Sequence, residues 1–183
     1  MMLRKKIQLY RAGLLLSLLG CASAWAELKV GANAPAFTAP AALAGQTYNF
    51  VLAEALKKGP VVVYFYPKAF TTGCTIEAQL FAEATDKFAE LKATVIGVSA
   101  DDLDTLKKFS EGPCGGKFAV AGDVDRSIIK AYDAGMMIKP DMASRISYVV
   151  TPDSKILFVH SGMGPDQHVS STLAALQAWQ AKK

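Results

Sequence analysis

Little in this 183-residue chain is suited to metal or dithiol chemistry: it has two histidines, three cysteines and no Cys-x-x-Cys pair. Without Cys-x-x-Cys, the usual site of a disulfide oxidoreductase is missing. His160 and His168 show no ligand spacing with cysteines or carboxylates, so no metal and no cofactor is expected. No repeat of roughly 20–50 residues and no low-complexity tract is present, which excludes solenoids and arrays. No apolar run approaches the ~20 residues that a spanning helix needs. The longest, over residues 12–19, is far shorter.

An excess of charge is lacking too, once one segment is set aside. Arg4, Lys5, Lys6 and Arg11 precede that apolar run, and Ala24-Trp25-Ala26 follows it, the three-part layout of a secretory signal. Residues 1–26 are therefore read as a cleaved signal peptide and 27–183 as one domain, exported and periplasmic. A second reading takes Leu18-Leu19-Gly20-Cys21 as a lipoprotein site that leaves a lipid on Cys21. The four leader cations account for the whole excess of 20 Lys and Arg over 16 Asp and Glu. The remainder is formally neutral, which gives no argument for nucleic-acid partners or for membrane association after signal cleavage. Two cysteines remain, Cys74 and Cys114, and an even pair in an exported chain raises the prospect of a disulfide.

Residues 31–40, rich in Ala, Pro and Gly, read as an extended lead-in, and 47–50 as a short strand. Residues 61–66 (Val-Val-Val-Tyr-Phe-Tyr) form a continuous apolar run, the signature of a strand buried on both faces. From 74 to 91, Ile76, Leu80, Ala84, Phe88 and Leu91 recur at helical spacing, with Glu77, Glu83 and Lys87 elsewhere on the cylinder. Residues 94–99 predict the next buried strand, so the three segments make a right-handed βαβ unit. Asp101 or Asp102 caps a helix to about residue 109, and 112–116 is a loop. A strand over 117–120, a helix over 125–132 with Ile128, Ile129 and Tyr132 inward, a hairpin of 146–151 with 156–160, and a last helix through Val169, Leu173 and Leu176 complete the pattern. Residues 134–144 resist assignment. This order describes an α/β thioredoxin-like sandwich, a mixed central sheet with helices on both faces.

Cys74 follows the carboxyl end of a buried strand and opens the next helix, where open α/β sheets place their ligand crevices. Unpaired N–H groups and the positive end of the helix dipole favour an ionised sulfur there, the reactive form of cysteine. Gly73 allows close approach of backbone to a small substrate. Thr71 can hold an oxygen with its hydroxyl, and the N–H groups of Thr72, Gly73 and Cys74 form an anion-stabilising nest. Arg145 opens the hairpin. If its strand runs antiparallel to 61–66, the guanidinium lies at the Cys74 end of the sheet. Glu77 is either a structural acid or an orienter of Arg145.

The segment Pro67-Lys68-Ala69-Phe70-Thr71-Thr72-Gly73-Cys74, with Pro-x3-Thr-x2-Cys spacing, resembles the active-site segment of the peroxiredoxins. It is most similar to their bacterioferritin-comigratory, or Q-type, branch. Ala34-Pro35-Ala36-Phe37, residues 123–132 and residues 145–149 resemble further elements of that family. The resemblance implies a thiol-dependent peroxidase acting on hydrogen peroxide and organic hydroperoxides, with a thiol reductant of thioredoxin or glutaredoxin type. It assigns Cys74, Thr71 and Arg145 to the site and makes Pro67 a shield of the sulfur. Many Q-type relatives carry the resolving cysteine five residues after the first, where this chain has Gln79. Cys114 is then the resolving candidate, beside a one-cysteine mechanism. A monomer or weak dimer is expected. A different class of function stays open on the residues alone: a thioredoxin-fold redox-sensing or binding protein without catalysis.

Overall fold

The computed structural model describes residues 27–182. Fifteen elements are assigned among the described residues, in the order β1 (Thr38–Leu43), β2 (Gln46–Val51), α1 (Leu52–Leu56), β3 (Val61–Phe65), α2 (Thr72–Glu83), α3 (Thr85–Glu90), β4 (Thr94–Ser99), α4 (Leu103–Glu111), β5 (Ala119–Gly122), α5 (Ser127–Ala131), β6 (Gly135–Met136), β7 (Lys139–Ala143), β8 (Ile146–Val150), β9 (Ile156–Ser161) and α6 (Pro165–Gln180). The proposed signal peptide and the Cys21 lipid site lie outside the described residues.

Seven strands form one mixed sheet in the order β2-β1-β5-β4-β3-β8-β9. β3 pairs parallel with β4 and antiparallel with β8, in register Phe65↔Ile146. That register brings the start of β8, and Arg145 just before it, to the carboxyl end of β3. The condition set on Arg145 by the sequence is met.

Alternation along β3 sends Val61, Val63 and Phe65 to one layer and Val62, Tyr64 and Tyr66 to the other. The first layer packs under α1 and α5; the second packs under α2, α3, α4 and α6. Every residue of β3 is buried, which explains why its sequence shows no polar alternation. In the second layer the Tyr64 ring stacks on Phe81 of α2 at 4.4 Å and so seats the helix that carries Cys74. Gly97 on β4 makes room for this ring: a Cβ there would lie 2.8 Å from the Tyr64 hydroxyl. Gly97→Ala should therefore destabilise the fold by about 1–3 kcal/mol, the usual cost of overpacking, as read from denaturant midpoints.

Several expectations shift. The strand expected at 117–120 forms two residues later, because Lys117 N is still tied to Cys114 O in the turn that follows α4. Residues 31–40 are not wholly a lead-in, since β1 pairs with both β2 and β5. The helix expected over 74–91 is two, α2 and α3, joined at Ala84, where the Thr85 hydroxyl donates to Phe81 O and Ala82 O. Its buried face is also rotated. Cys74, Glu77, Ala78 and Phe81 point inward, while Ile76 is 42 % exposed. Residues 135–143, within the stretch that resists assignment from sequence, form the small β6–β7 pair.

Candidate active site

Cys74 is the third residue of α2, so it and the two residues before it have no carbonyl one turn back for their N–H groups. The sulfur is nearly closed off, at 2 % exposure. It is not sealed in hydrocarbon, because Nη2 of Arg145 lies 3.4 Å from Sγ. Nη1 of the same guanidinium donates to Oε2 of Glu77 in a buried ion pair. Burial works against the Arg145 charge, but the Glu77 carboxylate and the Cys74 sulfur beside it hold its pKa above the ordinary value. Glu77, off the apolar stripe of its helix and expected as a structural acid or an orienter of Arg145, is fully buried, and its partner 68 positions away explains why. Burial pushes its carboxyl up to about 8, against the pull of the guanidinium.

Gly73 also makes room for a side chain. A Cβ there would meet Nη2 of Arg145 at 3.0 Å, so the missing side chain gives space to the guanidinium. Thr71 is the N-cap residue by backbone angles, yet its side chain caps nothing; its hydroxyl donates to Lys68 O at 3.0 Å and is exposed. Oxygen lone pairs remain available on it. Pro67 is half-buried just past β3.

A residue that sequence reasoning gave another possible task holds this loop. Asp102, not Asp101, caps α4, accepting from Thr105 N at 2.8 Å. Asp101 instead accepts the N–H of Ala69 at 2.7 Å and the hydroxyl of Ser99 at 2.9 Å. Phe70 follows at φ 63°, a left-handed conformation that phenylalanine rarely takes, with its ring edge-on to Phe109 of α4 at 5.2 Å. The loop before Cys74 is thus pinned at one residue and strained at the next.

Cys114 belongs to the same buried layer as Cys74, and both thiols are unbridged. Its loop is less open than Gly-Pro-Cys-Gly-Gly suggests. Cys114 N donates to Phe109 O, Gly116 N donates to Ser110 O, and the thiol is fully buried. Burial pushes its pKa well above the usual thiol range. Cys74, Arg145 and Glu77 are in contact, Thr71 and Pro67 lie in the loop leading to Cys74, and Cys114 shares the buried layer of Cys74.

Residues 30–159 match the AhpC/TSA family. Chloroplastic peroxiredoxin Q of Oryza sativa subsp. japonica is 31 % identical over 156 residues, covering 83 % of this chain and 68 % of that protein. Among solved structures, peroxidoxin BcpB from Mycobacterium tuberculosis superposes with a TM-score of 0.75 at 30 % identity, over 82 % of this chain and 97 % of that one. Xanthomonas campestris peroxiredoxin Q gives 0.66 at 28 % identity, over 76 % and 89 %. The mixed sheet, the cysteine at its helix N-terminus and these matches lead to one conclusion: the chain belongs to the AhpC/TSA family and is a thiol-dependent peroxidase of the peroxiredoxin, Q-type kind.

Proposed function

We propose that Cys74 is the peroxide-reducing nucleophile and Cys114 the thiol that resolves it. The observation that carries this reading is the Arg145 guanidinium, 3.4 Å from the Cys74 sulfur and braced by a buried carboxyl. The sulfur gives an electron pair to the nearer peroxide oxygen and the O–O bond breaks. Sulfur leaves this step as a sulfenic acid, oxidised by two electrons. The far oxygen departs as an alkoxide or hydroxide and takes a proton to become alcohol or water. Arg145 and the N–H groups at the start of α2 stabilise the charge on the departing oxygen, and Thr71 holds the peroxide. Pro67, which has no N–H, keeps water from the sulfur.

Cys114 then attacks the Cys74 sulfur, expels its hydroxyl as water and forms a disulfide. An external dithiol of thioredoxin or glutaredoxin type reduces that disulfide. Because Cys114 is buried, and its thiol accordingly hard to ionise, this step requires the 112–116 turn and the first turn of α2 to open. Export to the periplasm after cleavage at Ala26, and a monomer or weak dimer, complete the reading. Lipidation at Cys21 is its variant.

Intact mass after one equivalent of hydrogen peroxide tests the cycle. The expected product is lighter than the reduced chain by two hydrogens, with peptides 74 and 114 linked. A chain heavier by one oxygen at Cys74, with Cys114 unmodified, would replace resolution by a one-cysteine mechanism.

A further inference from the structure

Behind Cys74, Arg145 and Glu77 lies a second buried polar group that the reaction above leaves unused. Oε1 of Glu77 is buried and has no hydrogen-bond partner among the described residues. Facing it at 3.8 Å is Nδ1 of His168, near the start of α6, and both side chains are fully buried. The His168 ring is fixed from two sides. Nε2 lies 2.9 Å from Gly162 O, and Nδ1 lies 2.9 Å from the Ser147 hydroxyl. A carbonyl oxygen only accepts, so Nε2 carries the ring proton and Nδ1 accepts from Ser147. The one lone pair of Nδ1 is then taken up by Ser147, so a carboxylate Oε1 would face that nitrogen with no donor, a conflict of two acceptors in the interior. A proton on either one removes that conflict. Gly162 joins the same histidine to the arginine backbone, since its N–H donates to Arg145 O at 3.3 Å.

We infer that His168 is a positioning residue for the peroxidase reaction, keeping one proton shared with Glu77 so that Arg145, Glu77 and His168 together present a single net positive charge to the Cys74 sulfur. The inference rests on the reading of Cys74 as the nucleophile. It does not depend on which of the two groups holds the proton, because the sum of charges is the same. Once the proton leaves, the carboxylate cancels the guanidinium, and both the thiolate and the departing oxygen lose their stabilising field. The titration directions agree: burial raises Glu77 to about 8 and lowers His168 to about 4, so the pair holds one proton across the neutral range. The other titratable groups around the pair are Cys74 on α2, Tyr64 on β3, His160 on β9 with its ring 4.6 Å from that of His168, and Asp166 on α6.

The experiment is the pH profile of the first reaction of reduced, full-length chain with hydrogen peroxide, followed by stopped flow from about pH 6 to 10. The unmodified chain should lose reactivity along an alkaline limb. In His168→Gln an amide N–H can donate to Oε1 and favour the carboxylate, so the limb should move down by about one pH unit or more. Ser147→Ala removes the donor to Nδ1 and leaves the protonated Glu77 as the group able to replace it, so the limb should move up. A role in packing alone would slow the reaction without shifting the limb in opposite directions. A limb that stays in place or moves the other way overturns the inference. Circular dichroism checks each fold, and should one variant not fold, the other decides by itself. If the unmodified chain does not react with peroxide, the reading of Cys74 fails instead.

Discussion

Cys74→Ser should reduce peroxide consumption to the rate of buffer and reductant alone, measured with a dithiol donor and hydrogen peroxide. Serine retains the shape of the site and loses its chemistry. Its hydroxyl is not ionised at neutral pH even beside a guanidinium, and oxygen cannot take the place of sulfur in a sulfenic acid. The helix N-terminus, Arg145 and Glu77 would all still be present, so a complete loss assigns the reaction to the sulfur. Equal rates in the two proteins would remove Cys74 from the mechanism. Cys114→Ser offers a useful contrast: the first peroxide is consumed at an unaltered rate, and the Cys74 product accumulates in place of turning over.

The parts of the fold that could be read from sequence are those whose burial is local and complete. Residues 61–65 and 94–99 form β3 and β4 because apolar and β-branched side chains fill both faces of each strand. β1 could not be read, because Thr-Ala-Pro-Ala-Ala-Leu has little strand character alone and is fixed by pairing on both sides. The same distinction applies to the site. Cys74 was legible from its place after a buried strand, and Arg145 from the antiparallel return of β8. The depth of Glu77 was not, since hydropathy puts a glutamate outside and only a partner 68 residues on reverses that. His168 carries no metal-ligand spacing that would mark it in the sequence. Its partners here are a serine hydroxyl, a carbonyl and a carboxyl, contributed by other parts of the fold. Asp101 and Asp102 stand as equal candidates for the cap of α4 in the sequence, because nothing in two adjacent aspartates tells which one reaches Ala69.

Arg145→Met should slow the first peroxide reaction by about 10²–10³-fold, the range found when one preorganised donor is removed from a developing oxyanion. Lysine at the same position should recover only part of this. A point charge on a flexible stem cannot serve the Cys74 sulfur and the Glu77 carboxylate with two nitrogens at once, as the guanidinium does. Stability should fall too, by up to about 3–5 kcal/mol, because the substitution leaves Glu77 buried without its cation. That loss has a predictable pH dependence. Burial already raises the Glu77 pKa to about 8, and removing the opposing pull of Arg145 raises it further. A carboxyl whose folded pKa lies above its unfolded one keeps its full contribution to stability below the unfolded value. It loses that contribution as pH rises toward the folded value, at no more than about 1.4 kcal/mol per unit. The unmodified chain and Arg145→Met should therefore lose stability in parallel between about pH 5 and 8, and the defect should widen above pH 8, where only the variant goes on losing, as seen in denaturant midpoints. Adding Glu77→Gln, which cannot ionise, should flatten that dependence and restore much of the stability at pH 8, yet leave peroxide reduction slow. Recovery of stability without recovery of rate separates the two tasks of the guanidinium, neutralising a buried carboxylate and stabilising the sulfur and the departing oxygen. If the double variant instead regained rate, Arg145 would act only by holding Glu77, and the 3.4 Å approach to Cys74 would have no part in the chemistry.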